Sequence, residues 1–333
     1  MTKIAVYQVR EEELPIVKKW SKDNNVEVKI IDGQITPQNI HLAKECDGVT
    51  TSQNTKVPTE VYEKLKEYGI KQIAQRSAGY DYYDLDAATK NNIIISNVPV
   101  YSPESIAEFA ITQTLMLLRK VNKIEVKTKE GDFRWQPGIR GGLLGEMTVG
   151  VIGTGHIGRI VAKLFKGFGA KVIGYDLYPN DEATKYLEYK DSVEEVVKEA
   201  DVVTLHVPAT ADNHHQFDYE MFKQFKPTAY FINDARGSIV DTEGLIQALD
   251  EGLIAGAALD TYENEGPYIP VDNRETGIDD KLFQRLLDHP KILFTPHIAH
   301  YTDVSVRNIM NIGLDSTLEV IKTGDTKNRV NKV

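Results

Sequence analysis

The sequence predicts an α/β protein of two domains, each organised around a parallel sheet. Three observations lead there. The chain has 333 residues, more than one compact core usually holds. Short β-branched runs alternate with helical patterns along most of it, the sequence form of strands joined by crossover helices. A fresh strand–turn–helix–strand unit opens in mid-chain at Thr148, after a long apolar helix and a glycine-rich loop, so the alternation starts a second time.

In the first hundred residues the runs Ile4 to Val9, Val26 to Ile31, Gly48 to Thr51, Gln72 to Gln75 and Ile93 to Asn97 read as strands, with amphipathic helices between them. Ser102-Pro103-Glu104 marks a helix start: serine as cap, proline at the first helical position, an acid in the first turn. The helix that follows carries Ile106, Ala107, Phe109, Ala110, Ile111 and Leu115 to Leu118. It is apolar over much of its circumference, so more than one neighbour must bury it, either the other domain or a second subunit. Gly138 to Gly145 reads as a loop.

The window Thr148 to Asp176 reads TVGVIGTGHIGRIVAKLFKGFGAKVIGYD. Thr148 to Ile152 is a buried strand that leads into Gly153, Gly155 and Gly158, spaced Gly-x-Gly-x-x-Gly. The first glycine makes a tight turn, the second lets a pyrophosphate approach the backbone, and the third lets the next helix pack closely on its strand. That helix, Ile157 to Phe168, offers free N–H groups and a positive dipole end to phosphate. The strand Lys171 to Tyr175 then ends in Asp176, where a carboxylate can accept hydrogen bonds from an adenosine ribose. The window therefore specifies a dinucleotide site. Asp176 would repel a 2′-phosphate, and Leu177, Tyr178 and Pro179 bring no compensating arginine, which favours NAD over NADP.

Beyond Asp176 the expected order is helix Val193 to Lys198, strand Val202 to Val207, helix Tyr219 to Phe225, strand Ala229 to Ile232, helix Glu243 to Leu249 and strand Gly256 to Leu259. After a looser stretch come strand Ile292 to Thr295 and a final helix, roughly Thr302 to Thr323, which could return to the first domain and make it discontinuous.

Composition narrows the function classes. The chain is 41% hydrophobic and 26% charged, with a net charge of −10 that disfavours a phosphate-tracking surface, so nucleic acid is not an expected partner. The single cysteine, Cys46, cannot form an intrachain disulfide and fits a reducing cytosol. No segment approaches the ~20 apolar residues of a membrane helix, and the N-terminal stretch lacks a secretion signal.

In open α/β sheets ligands bind at the C-terminal strand edge, so residues just after strands are the candidates. Three strand ends stand out: Asn233-Asp234-Ala235-Arg236-Gly237, then Asp260 with Glu263 and Glu265, then Pro296-His297. Arginine can hold a carboxylate by two parallel hydrogen bonds. Histidine can give a proton to a carbonyl oxygen while hydride reaches the carbon, and a nearby carboxylate favours the imidazolium. Together these groups describe reduction of a 2-oxo acid to a 2-hydroxy acid, with either glutamate as the histidine's partner. Of the other histidines, His206 reads as a wall of the cofactor loop, His156 points outward from the glycine turn, and His41, His214, His215 and His289 read as solvated positions. No set has zinc-ligand spacing, so no metal is expected.

Six segments carry a family resemblance: Ser96-Asn97-Val98-Pro99-Val100-Tyr101-Ser102-Pro103, the Gly153 to Gly158 loop, His206-Val207-Pro208, Ala235-Arg236-Gly237, Asp260-Thr261-Tyr262-Glu263-Asn264-Glu265 and Thr295-Pro296-His297. In this order, over nearly the whole chain, they resemble the D-isomer-specific 2-hydroxyacid dehydrogenases, and most of all their pyruvate-reducing, D-lactate-forming bacterial members. The resemblance implies a homodimer whose subunit has a flavodoxin-like catalytic domain (1–101 and 300–333) and a Rossmann NAD-binding domain (102–299). It implies that Arg236 binds the substrate carboxylate, His297 is the acid/base, and Glu265 is its partner. NAD would be contacted by Gly153, Gly155, His156, Ile157, Gly158, Asp176, Val207, Pro208, Asn213, Asp234, Ala235, Arg236 and Asp260. Substrate would be surrounded by Ala78, Gly79, Tyr101, Trp135, Arg236, His297, His300 and Ile309, with Tyr101 and Trp135 restricting the space to something like pyruvate. The family usually carries an apolar aromatic or a tyrosine where this chain has His300. Two other readings stand beside this one: an enzyme for larger, branched 2-oxo acids, and an NAD-sensing binding protein of similar fold.

Overall fold

The computed structural model describes residues 1–332, which form two compact units: Met1–Ser102 together with the chain from Tyr301 onward, and Pro103–His300. The first unit is built on five parallel strands in the order β2-β1-β3-β4-β5: β1 (Lys3–Tyr7), β2 (Glu27–Ile31), β3 (Gly48–Thr51), β4 (Gln72–Gln75) and β5 (Ile94–Ser96). This is the flavodoxin-like order, in which the sheet grows in both directions from β1. Helices α1 (Leu14–Asn24), α2 (Thr59–Glu67) and α3 (Leu85–Lys90) connect the strands. The chain's last helix, α11 (Asp303–Thr323), packs on β3 and β4. Two cores result, one of them closed by Met310, Leu314 and Leu318 of α11 against Ile4, Val6, Val17 and Trp20. The helix starts on Thr302, whose hydroxyl accepts from Ser305 N–H, and stops at Gly324 with φ +86°.

Packing α11 this closely needs a glycine. A Cβ on Gly313 would stand 2.9 Å from Cγ of Arg76, a buried arginine whose Nη2 donates to the carbonyl oxygens of Tyr7 (2.8 Å) and Gln8 (2.7 Å). Arg76 thereby ties the end of β4 to the end of β1, and the residues it immobilises lead into Ser77-Ala78-Gly79. Burial pushes its guanidinium down to about 10, so it stays charged at neutral pH.

The second unit begins with α4 (Pro103–Leu118) and α5 (Val121–Lys129), then lays down seven parallel strands in the order β12-β11-β10-β9-β6-β7-β8. The strands are β6 (Thr148–Ile152), β7 (Lys171–Tyr175), β8 (Glu188–Tyr189), β9 (Val202–Leu205), β10 (Tyr230–Asn233), β11 (Gly256–Leu259) and β12 (Ile292–Phe294). Helices α6 (His156–Gly167), α7 (Val193–Glu199), α8 (Tyr219–Phe222), α9 (Thr242–Asp250) and α10 (Lys281–Asp288) connect them. Reversal of strand order between β6 and β9 makes the topological switch point of a Rossmann sheet. Phe217, Phe222, Phe225 and Phe231 stack with ring centroids 5.2–6.5 Å apart under β10, fixing that central strand from one face. On the other face α4 covers it and packs in turn on α6, so the apolar circumference of α4 is partly used within its own unit.

Several elements differ from the sequence reading. The strand expected at Val202 to Val207 ends at Leu205, leaving His206 just outside it, and the strand expected at Ala229 to Ile232 is Tyr230–Asn233. The helix expected at Tyr219 to Phe225 stops at Phe222. The two-residue strand β8 and helices α5 and α10 were not expected: β8 is too short to show a period, and α5 buries none of its residues in its own unit.

Candidate active site

The cofactor side is built at the turn from β6 into α6. Gly153 has φ +90°, and a Cβ there would stand 2.5 Å from the carbonyl oxygen of His206. A Cβ on Gly158 would stand 1.9 Å from the carbonyl oxygen of Gly153. Both positions exclude any side chain, one by conformation and contact, the other because the helix lies on its own turn. Gly155, the cap of α6, has nothing within 4 Å of where a Cβ would be. That open approach to helix N–H groups is what a pyrophosphate needs, so the residues fit a dinucleotide. His156 is exposed and Ile157 half-buried.

Asp176 follows β7. One of its oxygens accepts from Thr154 N–H (2.5 Å) and Thr154 Oγ1 (2.9 Å), the other from Tyr178 N–H (2.9 Å). Tyr189 of β8 adds its hydroxyl, 2.6 Å from Thr154 Oγ1 and accepting from Asn180 N–H at 3.0 Å. These bonds hold the carboxylate at the sheet edge. Thr154 and Tyr189 have no sequence signal, one being an x of the glycine motif and the other lying on the two-residue strand.

After β9, His206 pairs its Nε2 with Thr204 Oγ1 at 2.9 Å. The residue is half-buried, but its ring is enclosed enough that burial pushes it down to about 3, leaving it neutral. Val207 packs on the core, Pro208 is exposed, and Asn213 closes their loop through Thr210 N–H and the Pro208 carbonyl oxygen, both at 2.8 Å.

After β10, Asn233 shapes the turn that carries Arg236. Its Oδ1 accepts from Ala235 N–H at 3.0 Å and its Nδ2 donates to the Arg236 carbonyl oxygen at 2.9 Å. The half-buried Arg236 guanidinium donates through Nη1 to the Ala235 carbonyl oxygen at 2.8 Å. Gly237 lets the turn pass the end of β11, because a Cβ there would stand 2.2 Å from the carbonyl carbon of Tyr262.

The ends of β11 and β12 build the histidine. His297 has φ +55°, and its N–H donates to the carbonyl oxygens of Asp260 (2.7 Å) and Thr295 (3.0 Å). Asp260 is fully buried: Oδ1 accepts from Thr295 Oγ1 (2.5 Å) and Ile298 N–H (3.0 Å), and Oδ2 accepts from Ala299 N–H (2.8 Å). Burial pushes its carboxyl up, opposed by these bonds. The side chain the family resemblance gives to NAD is thus also the clamp on the loop of His297. Gln113 of α4 braces Thr295 from behind at 3.1 Å.

The structure separates the two glutamates. Glu265 Oε1 lies 2.5 Å from His297 Nδ1, while its Oε2 accepts from Tyr262 N–H at 3.0 Å. Glu263 instead pairs with His215 Nε2 at 2.9 Å. His215 is therefore not a free solvated position, nor is His289, whose side chain is 9% exposed and lies 3.3 Å from Asp250. His300 stands edge-on to His297, ring centroids 6.3 Å apart.

The remaining residues expected around substrate divide between the units. In the first, Asn97 Nδ2 holds the Ala78 carbonyl oxygen at 2.7 Å, Ser77 Oγ the Gly79 carbonyl oxygen at 2.6 Å, and Asn308 Nδ2 the Tyr101 carbonyl oxygen at 2.6 Å, while Ile309 is buried on α11. In the second, Trp135 is 95% exposed, so no wall of its own unit encloses it. Among the described residues no cluster of His, Cys, Asp or Glu could hold a metal ion, and no helix is long and apolar enough to cross a membrane.

Residues 111–299 match the model of the D-isomer-specific 2-hydroxyacid dehydrogenase NAD-binding domain. A D-lactate dehydrogenase of Streptococcus pyogenes serotype M1 is 50% identical over 329 residues, covering 99% of this chain and all of the relative. Among solved structures, a D-lactate dehydrogenase from Treponema pallidum superposes with a TM-score of 0.92 at 40% identity, and a D-2-hydroxyisocaproate dehydrogenase with a TM-score of 0.92 at 38%, each over 99% of this chain and all of the other. The chain therefore belongs to the D-isomer-specific 2-hydroxyacid dehydrogenase family, its second unit being the NAD-binding domain.

Proposed function

We propose that this chain is an NAD-dependent D-lactate dehydrogenase, interconverting pyruvate and D-lactate. The observation that carries the reading is the His297–Glu265 pair, 2.5 Å long, on the ends of β12 and β11, the two strands that follow β10, the strand leading to Arg236, in the sheet order. Arg236 holds the substrate carboxylate by two parallel hydrogen bonds and so fixes where the carbonyl group lies. Glu265 occupies His297 Nδ1, which leaves Nε2 to face the carbonyl oxygen. NAD in its reduced form, when bound, supplies the hydride that the carbonyl carbon receives. His297 Nε2 gives its proton to the carbonyl oxygen, the 2-hydroxy acid leaves, and the ring is reprotonated from solvent; in the other direction the same nitrogen takes the hydroxyl proton. Asp260 acts as a positioning residue through Thr295, Ile298 and Ala299.

Substrate size is the finer question. The fold does not decide it, since the hydroxyisocaproate enzyme superposes as well as the lactate enzyme. The 50% identity to a D-lactate dehydrogenase favours the smaller acid. A saturation series with pyruvate and 2-oxoisocaproate, with chiral analysis of the products, tests it: kcat/KM should favour pyruvate and the product should be the D isomer. Equal or inverted preference would defeat the lactate assignment, and tight NADH binding with no turnover of any 2-oxo acid would make the chain a nucleotide-sensing protein.

The same proposal includes a cytosolic homodimer. Helix α5 buries nothing, and Val126, Phe133, Trp135 and Leu143 on and after it are exposed, an apolar surface suited to a second copy of the chain. Sedimentation should give twice the chain mass, and Phe133→Asp should lower it to one.

A further inference from the structure

Asp234 is 9% exposed, and neither of its carboxyl oxygens has a hydrogen-bond partner. A buried polar group without a partner is uncommon and calls for a reason. Its place suggests one. Asn233 pairs with Leu205 of β9 and with Leu259 of β11, so the residues flanking Asp234 at the sheet edge are His206 and Asp260. With the glycine turn after β6 and Asp176 after β7, the adenosine half of a dinucleotide lies over β6 and β7, and the nicotinamide half extends over β9, β10 and β11.

The charged groups around Asp234 can be named from each side. His206 is neutral. Asp260 is an acid already committed to Thr295, Ile298 and Ala299, and together with burial it holds the Asp234 carboxyl well above the usual carboxylate range. Helix α4, which packs on β10, buries only uncharged residues, its Glu104 and Glu108 being exposed. In its own turn the cation is Arg236, whose guanidinium is drawn to the Ala235 carbonyl oxygen. Arg236 apart, none of these groups is a cation, whereas the oxidised nicotinamide carries a positive charge and the reduced one does not.

We propose that Asp234 senses the redox state of the cofactor: its carboxyl releases a proton to solvent when NAD+ binds and keeps that proton when NADH binds, so that affinity for NAD+, and not for NADH, rises with pH. The inference rests on the cofactor site described above and adds a regulation of it. A carboxyl protonated in the free protein and ionised beside a cation links one proton to binding, so the Kd for NAD+ falls by up to about tenfold per pH unit until Asp234 ionises in the free protein as well.

The test measures Kd for NAD+ and for NADH by calorimetry across neutral pH, in two buffers of different ionisation enthalpy, for the wild type and for Asp234→Asn. The wild type should release close to one proton on binding NAD+ and none on binding NADH. Asp234→Asn leaves His297 and Asp260 in place and should lose the extra NAD+ slope and the proton release, while the pH dependence of NADH binding stays as flat as in the wild type. A variant that keeps the wild-type slope overturns the proposal. Unfolding of the free proteins gives a second check. Because the Asp234 pKa is raised on folding, its ionisation in the unfolded chain costs the wild type stability as pH rises above the ordinary carboxylate range. Asp234→Asn should therefore match or exceed wild-type Tm at neutral pH, with the gap closing toward acid; a variant less stable than wild type would make Asp234 a structural group and end the proposal. Failure of the wild type to bind either nucleotide would instead bring down the cofactor assignment itself, and this inference with it.

Discussion

The turn after β11 carries two glutamates two residues apart, and each of them takes a histidine. The pairs are near twins. Their side chains are 35% and 17% exposed for His297 and Glu265 and 35% and 16% for His215 and Glu263, and both histidines have positive φ. What separates them is what holds each histidine. His297 sits in a loop clamped by the buried Asp260 at the end of a sheet strand. His215 donates its N–H to the Ser238 carbonyl oxygen, and Glu263 accepts from Thr242 N–H. The second pair thus buttresses the turn that presents Arg236, while the first presents a ring nitrogen to the strand edge. A histidine–carboxylate pair is a component, and the backbone to which it is fixed decides whether it does chemistry or holds something that does.

That contrast can be broken by experiment. The largest effect is expected at His297: His297→Gln removes the proton donor and should lower kcat for pyruvate reduction by about 10³-fold, whereas His215→Gln should stay within about threefold; comparable losses at both would erase the distinction. Arg236→Lys comes next. Losing the two-point grip should raise KM sharply and lower kcat, for a combined loss in kcat/KM of about 10²-fold. A wild-type KM in steady-state kinetics would take Arg236 out of the site. Glu265→Gln should lower kcat by about tenfold with little change in KM, because ring orientation matters only once proton transfer begins. Glu263→Gln should do the reverse on a smaller scale, raising KM about twofold through a loosened Arg236 turn with kcat nearly unchanged. If the two glutamate variants show the same split between kcat and KM, the pairs do the same work.

Much of the fold was legible because its signals are local. β3, β4, β6, β7 and β11 begin and end where the β-branched runs do, and α11 starts and stops at Thr302 and Gly324, residues suited to those ends. What was missed has short range or no period, such as β8, and the exposed helix α5. Among the candidate site residues, Arg236 and His297 showed themselves as polar residues just past apolar runs. Thr154, Tyr189 and Gln113 did not, because each acts through a partner distant in sequence, 182 residues away between Gln113 and Thr295. His215 and His289 read as solvated for the same reason, their partners lying 48 and 39 residues off.

The sequence alone determined the class of architecture, the dinucleotide turn and the three strand ends proposed to carry the chemistry, since these follow from hydrophobic period, glycine spacing and position after a strand, all properties of neighbouring residues. Tertiary structure decided which glutamate meets which histidine, that Asp260 clamps a loop, and that Asp234 has no partner. Those outcomes depend on strand order and register, which bring together residues dozens to hundreds of positions apart, and no local pattern encodes which of two like side chains will face a given neighbour.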